Sequence, residues 1–251
     1  MVTGIEALKK YFNGFETEYV IIGGTACDLL MTEEGLDFRA TKDIDMVLIV
    51  EALTVEFGRK FWDFIVTAGY EHCNTSTGVP QFYRFSHPKD HNYPFMIELF
   101  SHKTDIMQLP SNAVLTPLHL DDSVSSLSAI LLNEDYYQFL RTGIIQIEDV
   151  PVLNASHLIA FKAKAWLDLT TRQKAGEHVD SKNIKKHKND VFRLAALLSP
   201  GQTIIVPQSI LTDIRIFIES MRFESIDLKA LKIIGTKEQI LDMLAEVYIT
   251  E

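Results

Sequence analysis

Three carboxylates in this chain of 251 residues stand where chemistry is the natural explanation, and two of them are neighbours: Asp43 and Asp45, in the run Arg-Ala-Thr-Lys-Asp-Ile-Asp that leads into an apolar stretch. In a β-strand, residues two apart project from one face, so both carboxylates aim at one point while Ile44 turns the other way. Adjacent anions repel unless something positive lies between them. Hard Mg²⁺ resolves that repulsion, taking oxygen ligands from a few carboxylates together with substrate phosphates. The third acid is Glu98, inside Phe-Met-Ile-Glu-Leu-Phe, where Met96 and Phe100 flank it on its own face and Ile97 and Leu99 occupy the other. Burying such a charge alone costs several kcal/mol, so a cation partner or a shifted pKa is expected. The plainer alternatives are a helix cap or solvated loop edge for the aspartates and an edge strand reaching water for Glu98.

A second signal is Gly23 and Gly24 followed by Thr25, after a short apolar run and before a helical pattern. Backbone N–H groups and the helix dipole at such a position can receive phosphate, although a strand-ending glycine pair also makes an ordinary tight turn. Arg39 and Thr41 precede the aspartates closely. Arg39 and Arg84 are candidates to contact phosphate or an acceptor, or simply to pair with a nearby carboxylate.

The elements that must position these residues follow from periodicity. Ile5, Leu8 and Phe12 have helical spacing, Tyr19–Ile22 is a short strand, and a helix is expected from about Thr25. Residues from Thr32 to Arg39 read as a loop, Ile44 to Val50 as a central strand covered on both sides, and Phe57, Phe61, Phe64 and Ile65 as one helix face. Gln81 to Ser86 and Phe95 to Phe100 could form a hairpin with a long, proline-bracketed connection. From Leu127 to Val152 the signal is mixed, with a short apolar run, a helix around Tyr136 to Leu140 and a strand near Ile144 to Ile147. Beyond Pro151 the chain reads as helices: one capped by Asn154 or Ser156 and running to about Thr171, one capped by Asp180 or Ser181 and ending near Ser199, one marked by Ile210, Ile214 and Ile218, and a last one opening with Thr236 and Gln239 in capping-box spacing. The expected architecture is an α/β amino-terminal half, residues 1–152, and a helical carboxy-terminal half, residues 153–251, without an internal repeat.

Composition removes other classes. At 47% hydrophobic and 23% charged the chain is neither disordered nor fibrous, and no apolar run approaches the ~18 residues of a membrane helix. The first ten residues lack the apolar stretch of a signal peptide, so a cytoplasmic protein is expected, with Cys27 and Cys73 as reduced core residues. A net charge of -10 opposes broad phosphate neutralisation on nucleic acid and suits an enzyme acting through bound cations. The densest positive cluster, Lys182, Lys185, Lys186 and Lys188, either docks an acceptor or forms a solvated helix face. The histidines show no H-E-x-x-H or zinc-finger spacing, there is no G-x-S-x-G, and Gly23 lacks both a Walker lysine and G-x-G-x-x-G spacing.

A glycine turn, paired aspartates on the next strand and one further carboxylate on a later strand resemble the nucleotidyltransferase fold shared by DNA polymerase beta, and specifically the minimal bacterial nucleotidyltransferases that include AbiEii-like toxins. The resemblance implies an α+β fold, a mixed sheet with flanking helices followed by a helical region. It implies two Mg²⁺ ions, or Mn²⁺, on Asp43, Asp45 and Glu98, with a nucleoside triphosphate cradled by Gly23, Gly24 and Thr25. It places Lys162, in Leu158 to Lys162, on the triphosphate, with Asp190 orienting it and Lys164 as the alternative lysine. The implied reaction moves a nucleoside monophosphate to an acceptor hydroxyl of RNA, protein or a small molecule and releases pyrophosphate. A toxin role would bring an antitoxin partner. The alternatives are antibiotic-type small-molecule nucleotidylation and a non-catalytic module that only binds nucleotide or a partner. Two features depart from the family pattern: a glutamate stands where aspartate is commoner, and Gln173 to Lys188 expands the stretch between Lys162 and Asp190.

Overall fold

The computed structural model describes residues 3–70, 72–75, 82–102, 127 and 130–250, with the backbone alone for 72–75 and 82. The side chain of Cys73, Gln81, and Ser128 with Ala129 after Leu127 lie outside the described residues. A seven-stranded mixed sheet, order β3-β4-β5-β2-β1-β7-β6, carries the first part of the chain. Its strands are β1 (Tyr19–Ile22), β2 (Asp43–Leu48), β3 (His72–Thr75), β4 (Phe82–Ser86), β5 (Met96–Ser101), β6 (Ile144–Ile147) and β7 (Val150–Leu153). β2 is central, antiparallel to β1 and parallel to β5, and β4 pairs antiparallel with β5 as the expected hairpin.

The face of the sheet that carries Tyr19, Ile44 and Phe85 is packed by helices α1 (Ile5–Phe12) and α3 (Val55–Ala68). Phe12 lies 5.6 Å from Tyr19 and 5.4 Å from Phe57 between ring centroids, and Phe61 meets Phe85 edge-on at 5.5 Å. Thr54 caps α3 by accepting the Phe57 N–H, and Gly69 ends it at φ 66°. This aromatic floor leaves the opposite face for Asp43, Asp45 and Glu98.

Helix α2 (Gly23–Glu33) starts two residues earlier than the apolar spacing suggests. Gly23 itself takes the turn, at φ 69°, so strand passes to helix without an intervening residue. β7 was hidden from the sequence by Pro151, which is tolerated because β7 meets β1 at the single register pair Ile21 and Val152. The two-residue ladder of β8 (Ile204–Ile205) and β9 (Tyr248–Ile249) was equally invisible.

The chain divides into two units, residues 1–120 with 144–154 and residues 121–143 with 155–251. A single cut at residue 152 therefore differs from the division in space, because the second unit also takes α4 (Glu134–Thr142) before the chain returns to the sheet. That unit further contains α5 (Ala155–Lys174), α6 (Ser181–Ala195), α7 (Gln208–Phe223) and α8 (Lys237–Val247). The expected caps form: Asp180 accepts the Lys182 N–H, and Thr236 with Gln239 makes a complete capping box. Among the described residues no helix is long and apolar enough to cross a membrane.

Candidate active site

Sheet register builds the site. Ile22 lies opposite Asp45, Asp45 opposite Glu98 and Glu98 opposite Arg84, so one row across β1, β2, β5 and β4 sets two acids and a guanidinium on a single face. β5 is an inner strand, so Glu98 is buried at 6% exposure and does not reach water at an edge. Arg84 holds it, with Nε donating to Glu98 Oε1 at 2.8 Å and a second guanidinium nitrogen at 2.5 Å from the same oxygen. The Glu98 pKa is nevertheless raised well above the usual carboxylate range, first by burial and then by the charge and hydrogen bond of Asp45, against the opposing pull of Arg84. Two carboxyl groups in hydrogen-bond contact require a shared proton or a cation.

The first turn of α2 closes over this row. A β-carbon on Gly23 would lie 1.6 Å from Asp45 Oδ2, so only glycine admits the carboxylate there. A β-carbon on Gly24 would meet Thr41 Oγ1 at 2.9 Å and an Arg39 guanidinium nitrogen at 3.3 Å. Gly23 is thus required by its positive φ and the close approach of Asp45, Gly24 is tightly approached by two side-chain ends, and Arg39 and Thr41 lie beside the helix N-terminus. Thr25, fully buried, donates from Oγ1 to the Asp43 carbonyl at 2.7 Å and ties the helix start to the entry of β2. Cys27, also buried, donates to the Gly23 carbonyl at 3.0 Å.

The structure brings Gly23, Gly24, Thr25, Arg39, Thr41, Asp43, Asp45 and Glu98 together within the sheet unit. It does not draw the acids into one knot: among the described residues no three His, Cys, Asp or Glu side chains converge as a ready metal cluster. Of the expected three carboxylates, Asp45 and Glu98 are in contact, and Asp43 stands two residues along the same face, opposite Met96. The donors are all carboxylate oxygens and carry more negative charge than Arg84 offsets, which fits a hard divalent cation.

Lys162 and Asp190 meet within the helical unit, Nζ to Oδ2 at 3.3 Å, with 6% and 0% of their side chains exposed. The expansion between them is the end of α5, a short loop and the first turns of α6, so it does not separate the pair. Lys164 turns instead to Asp213, 2.9 Å away, whose Oδ2 also accepts the Tyr136 hydroxyl at 3.0 Å. Two partners escaped sequence reading. Arg84 on Glu98 was available from the hairpin register, and Arg193, 3.4 Å from Asp190 Oδ1, from its position three residues along α6.

No family model matches the chain, and no curated protein matches it in sequence. Among solved structures it is similar to JHP933 from Helicobacter pylori, at 15% identity and TM-score 0.44 over 96% of this chain and 85% of that one. It is also similar to the antibiotic-resistance factor ANT(2'')-Ia, at 10% identity and TM-score 0.39 over 87% of this chain and 89% of that one. Neither likeness carries the chemistry, which rests on this chain's own residues.

Proposed function

We propose that the sheet unit catalyses nucleotidyl transfer: an acceptor hydroxyl oxygen bonds to the α-phosphorus of a nucleoside triphosphate, the bond from that phosphorus to the bridging oxygen breaks, and pyrophosphate leaves. The observation that carries this reading is the placing of an acid pair directly against a glycine-only helix start. There an anion-receiving N-terminus and a cation-requiring carboxylate pair share one spot.

In this reading the amides of the first turn of α2 receive phosphate oxygens, and Arg39 and Thr41 add donors beside Gly24. Thr25 fixes the helix start against β2, so phosphate and carboxylates keep their spacing. Asp43, Asp45 and Glu98 would hold Mg²⁺, which when bound polarises the phosphoryl group and stabilises charge on the attacking and leaving oxygens. Arg84 orients Glu98 through Oε1. A carboxylate with a raised pKa is a stronger base, and Glu98 takes the acceptor hydroxyl's proton.

A second reading, nucleotide or partner binding without transfer, is favoured by the absence of a converged acid cluster among the described residues. Pyrophosphate release separates the two. Purified protein with Mg²⁺, each of the four ribonucleoside triphosphates and cell extract as acceptor source should release pyrophosphate, and Asp43→Asn with Asp45→Asn should reduce release at least ~10²-fold while leaving the fold intact. Labelled triphosphate then traces the acceptor to RNA, protein or small molecules, on which the toxin reading and its antitoxin depend. Equal release by the double variant would overturn the proposal.

A further inference from the structure

The proline-bracketed connection between β4 and β5 is fastened at several points. Its Lys89 and Asp90 N–H groups donate to the Ala68 carbonyl at the end of α3, at 2.9 and 3.3 Å, and the Tyr70 hydroxyl donates to the Pro94 carbonyl at 2.7 Å. The His87 N–H donates to the Phe95 carbonyl at 3.1 Å where the two strands part. Gly4, just before α1, has φ 85° and comes so close that a β-carbon there would stand 2.2 Å from the Pro94 nitrogen. This firmly held segment nevertheless leaves Phe95 43% exposed.

A lone exposed apolar side chain is ordinary. Phe95 is not alone, because with Lys42, His87, His91 and Tyr93 it lines a cavity of about 320 Å³, large enough for a small molecule. The His87 ring meets the Phe95 ring edge-on at 5.0 Å, and the Lys42 ammonium stands 5.9 Å over the same ring. Tyr93 is anchored behind them, 5.0 Å from Phe64 of α3 between ring centroids. His87 keeps its place at φ 56°, a left-handed conformation that costs a residue with a β-carbon and recurs at ligand sites.

The groups that could meet a ligand are open to it: Lys42, His87, His91 and Phe95 are all exposed. No carboxylate lines the cavity. Asp90, the acid of the connection, stands outside the lining, and its Oδ1 accepts from the Asn92 backbone and side-chain nitrogens, each at 2.9 Å. Lys42 makes no ion pair or hydrogen bond among the described residues, so its ammonium donors are available beside the rings. Rings with one uncompensated ammonium suit a flat ring that carries negative charge.

We propose that this cavity binds a small aromatic anion, with its ring against Phe95 and His87 and its carboxylate or phosphoryl oxygens accepting from the Lys42 ammonium. The site is distinct from the acid row. Lys42 and Phe95 stand one residue outside the register pair Asp43 and Met96, so strand alternation turns them toward the face packed by α1 and α3, away from the acids. It therefore stands whether or not the sheet unit transfers nucleotides.

The ring C–H signals of the eight histidines report on it by nuclear magnetic resonance, with His87→Gln and His91→Gln identifying the two that line the cavity. Titrating the full-length protein with benzoate and with phenyl phosphate should shift those two signals saturably, and the tighter of the two probes identifies the preferred anionic group. Acetate, an anion without a ring, and benzyl alcohol, a ring without charge, should each bind at least ~10-fold more weakly. Lys42→Gln and Phe95→Ala, both at exposed positions, should each raise the half-saturating concentration at least ~10-fold with unchanged far-ultraviolet circular dichroism. Asp43→Asn with Asp45→Asn should retain the response, which separates this site from the one proposed for nucleotidyl transfer. No saturable shift with either aromatic anion at millimolar concentration, an equal response to acetate, or half-saturation unchanged in both Lys42→Gln and Phe95→Ala would each overturn the proposal.

Discussion

The sheet unit and the helical unit each hold an ionic trio, and the trios are charge opposites. Across the sheet, Arg84 faces Glu98, and Glu98 in turn contacts Asp45, so two acids share one base. Between α5 and α6, Lys162 and Arg193 converge on Asp190, so two bases share one acid. The chemistry of the ions makes these different objects. A carboxylate in surplus can take up a proton in the ordinary pH range or hold a metal, and the raised Glu98 pKa records that tendency. A guanidinium in surplus keeps its charge at every physiological pH. The first trio is therefore adjustable and suits a reaction centre, and the second keeps its charges and joins α5 to α6.

Removing the minority ion from each trio should separate them most sharply. Asp190→Asn removes the acid that the buried Lys162 contacts and should cost about 3–5 kcal/mol of unfolding free energy, by a similar amount at pH 8 and pH 5. Arg84→Met leaves Glu98 beside Asp45 and should cost about 3 kcal/mol at pH 8. Part of that loss should return at pH 5. The sign follows from the raised folded pKa: ionised Glu98 penalises the fold above that pKa, and the penalty fades as pH falls through it toward the unfolded value. Urea unfolding of each variant against the parent at both pH values measures the difference. Identical pH behaviour in the two variants would remove the distinction.

What could be read beforehand divides along the same line. The acids of the sheet unit were legible because a charge inside an apolar strand, or a D-x-D at its entry, breaks a period-2 pattern that a sequence displays directly. Gly23 and Gly24 stood out as a pair, but not the reason for them, since the approach of Asp45 and Arg39 depends on a register between strands. Lys162 lay in a helix so apolar that it is buried almost all round, and a lysine there announces a partner without saying which. β7 failed for a local reason, Pro151, and β8 with β9 failed because two residues carry no periodicity at all. The return of the chain from α4 to the sheet at Ile144 was not legible, because sequence order shows where elements change but not which unit each joins.

Acid should also act on the helical unit through His157, in the direction opposite to Glu98. His157 is buried, stacked on Phe139 with centroids 3.9 Å apart, and closed in by Gly143, where a β-carbon would meet its ring at 2.2 Å. Burial lowers its pKa from 6.5 to about 4. The unfolded chain thus binds the proton more readily, and stability present above pH 6.5 is lost as pH falls toward 4, to a limit of about 3 kcal/mol. Unfolding free energy measured from pH 8 to pH 4.5 should fall less steeply in His157→Gln than in the parent. A parallel fall in both proteins would assign the acid sensitivity elsewhere.

The smallest effect concerns the sheet unit away from either trio. β6 and β7 are joined by a two-residue turn, Glu148 and Asp149, both with positive φ, at 46° and 67°. Positive φ at both central positions matches the right-handed twist of a hairpin, yet residues with a β-carbon hold it at a cost. Glu148 has a compensating contact, since its Oε2 accepts from Lys9 Nζ at 2.6 Å and links the turn to α1. Asp149→Gly removes the steric cost while leaving that link in place, and should raise stability by about 0.5–1 kcal/mol. Glu148→Gly relieves the same cost but loses the Lys9 contact, so its gain should be smaller, and a larger gain there than at Asp149 would show that the link contributes nothing.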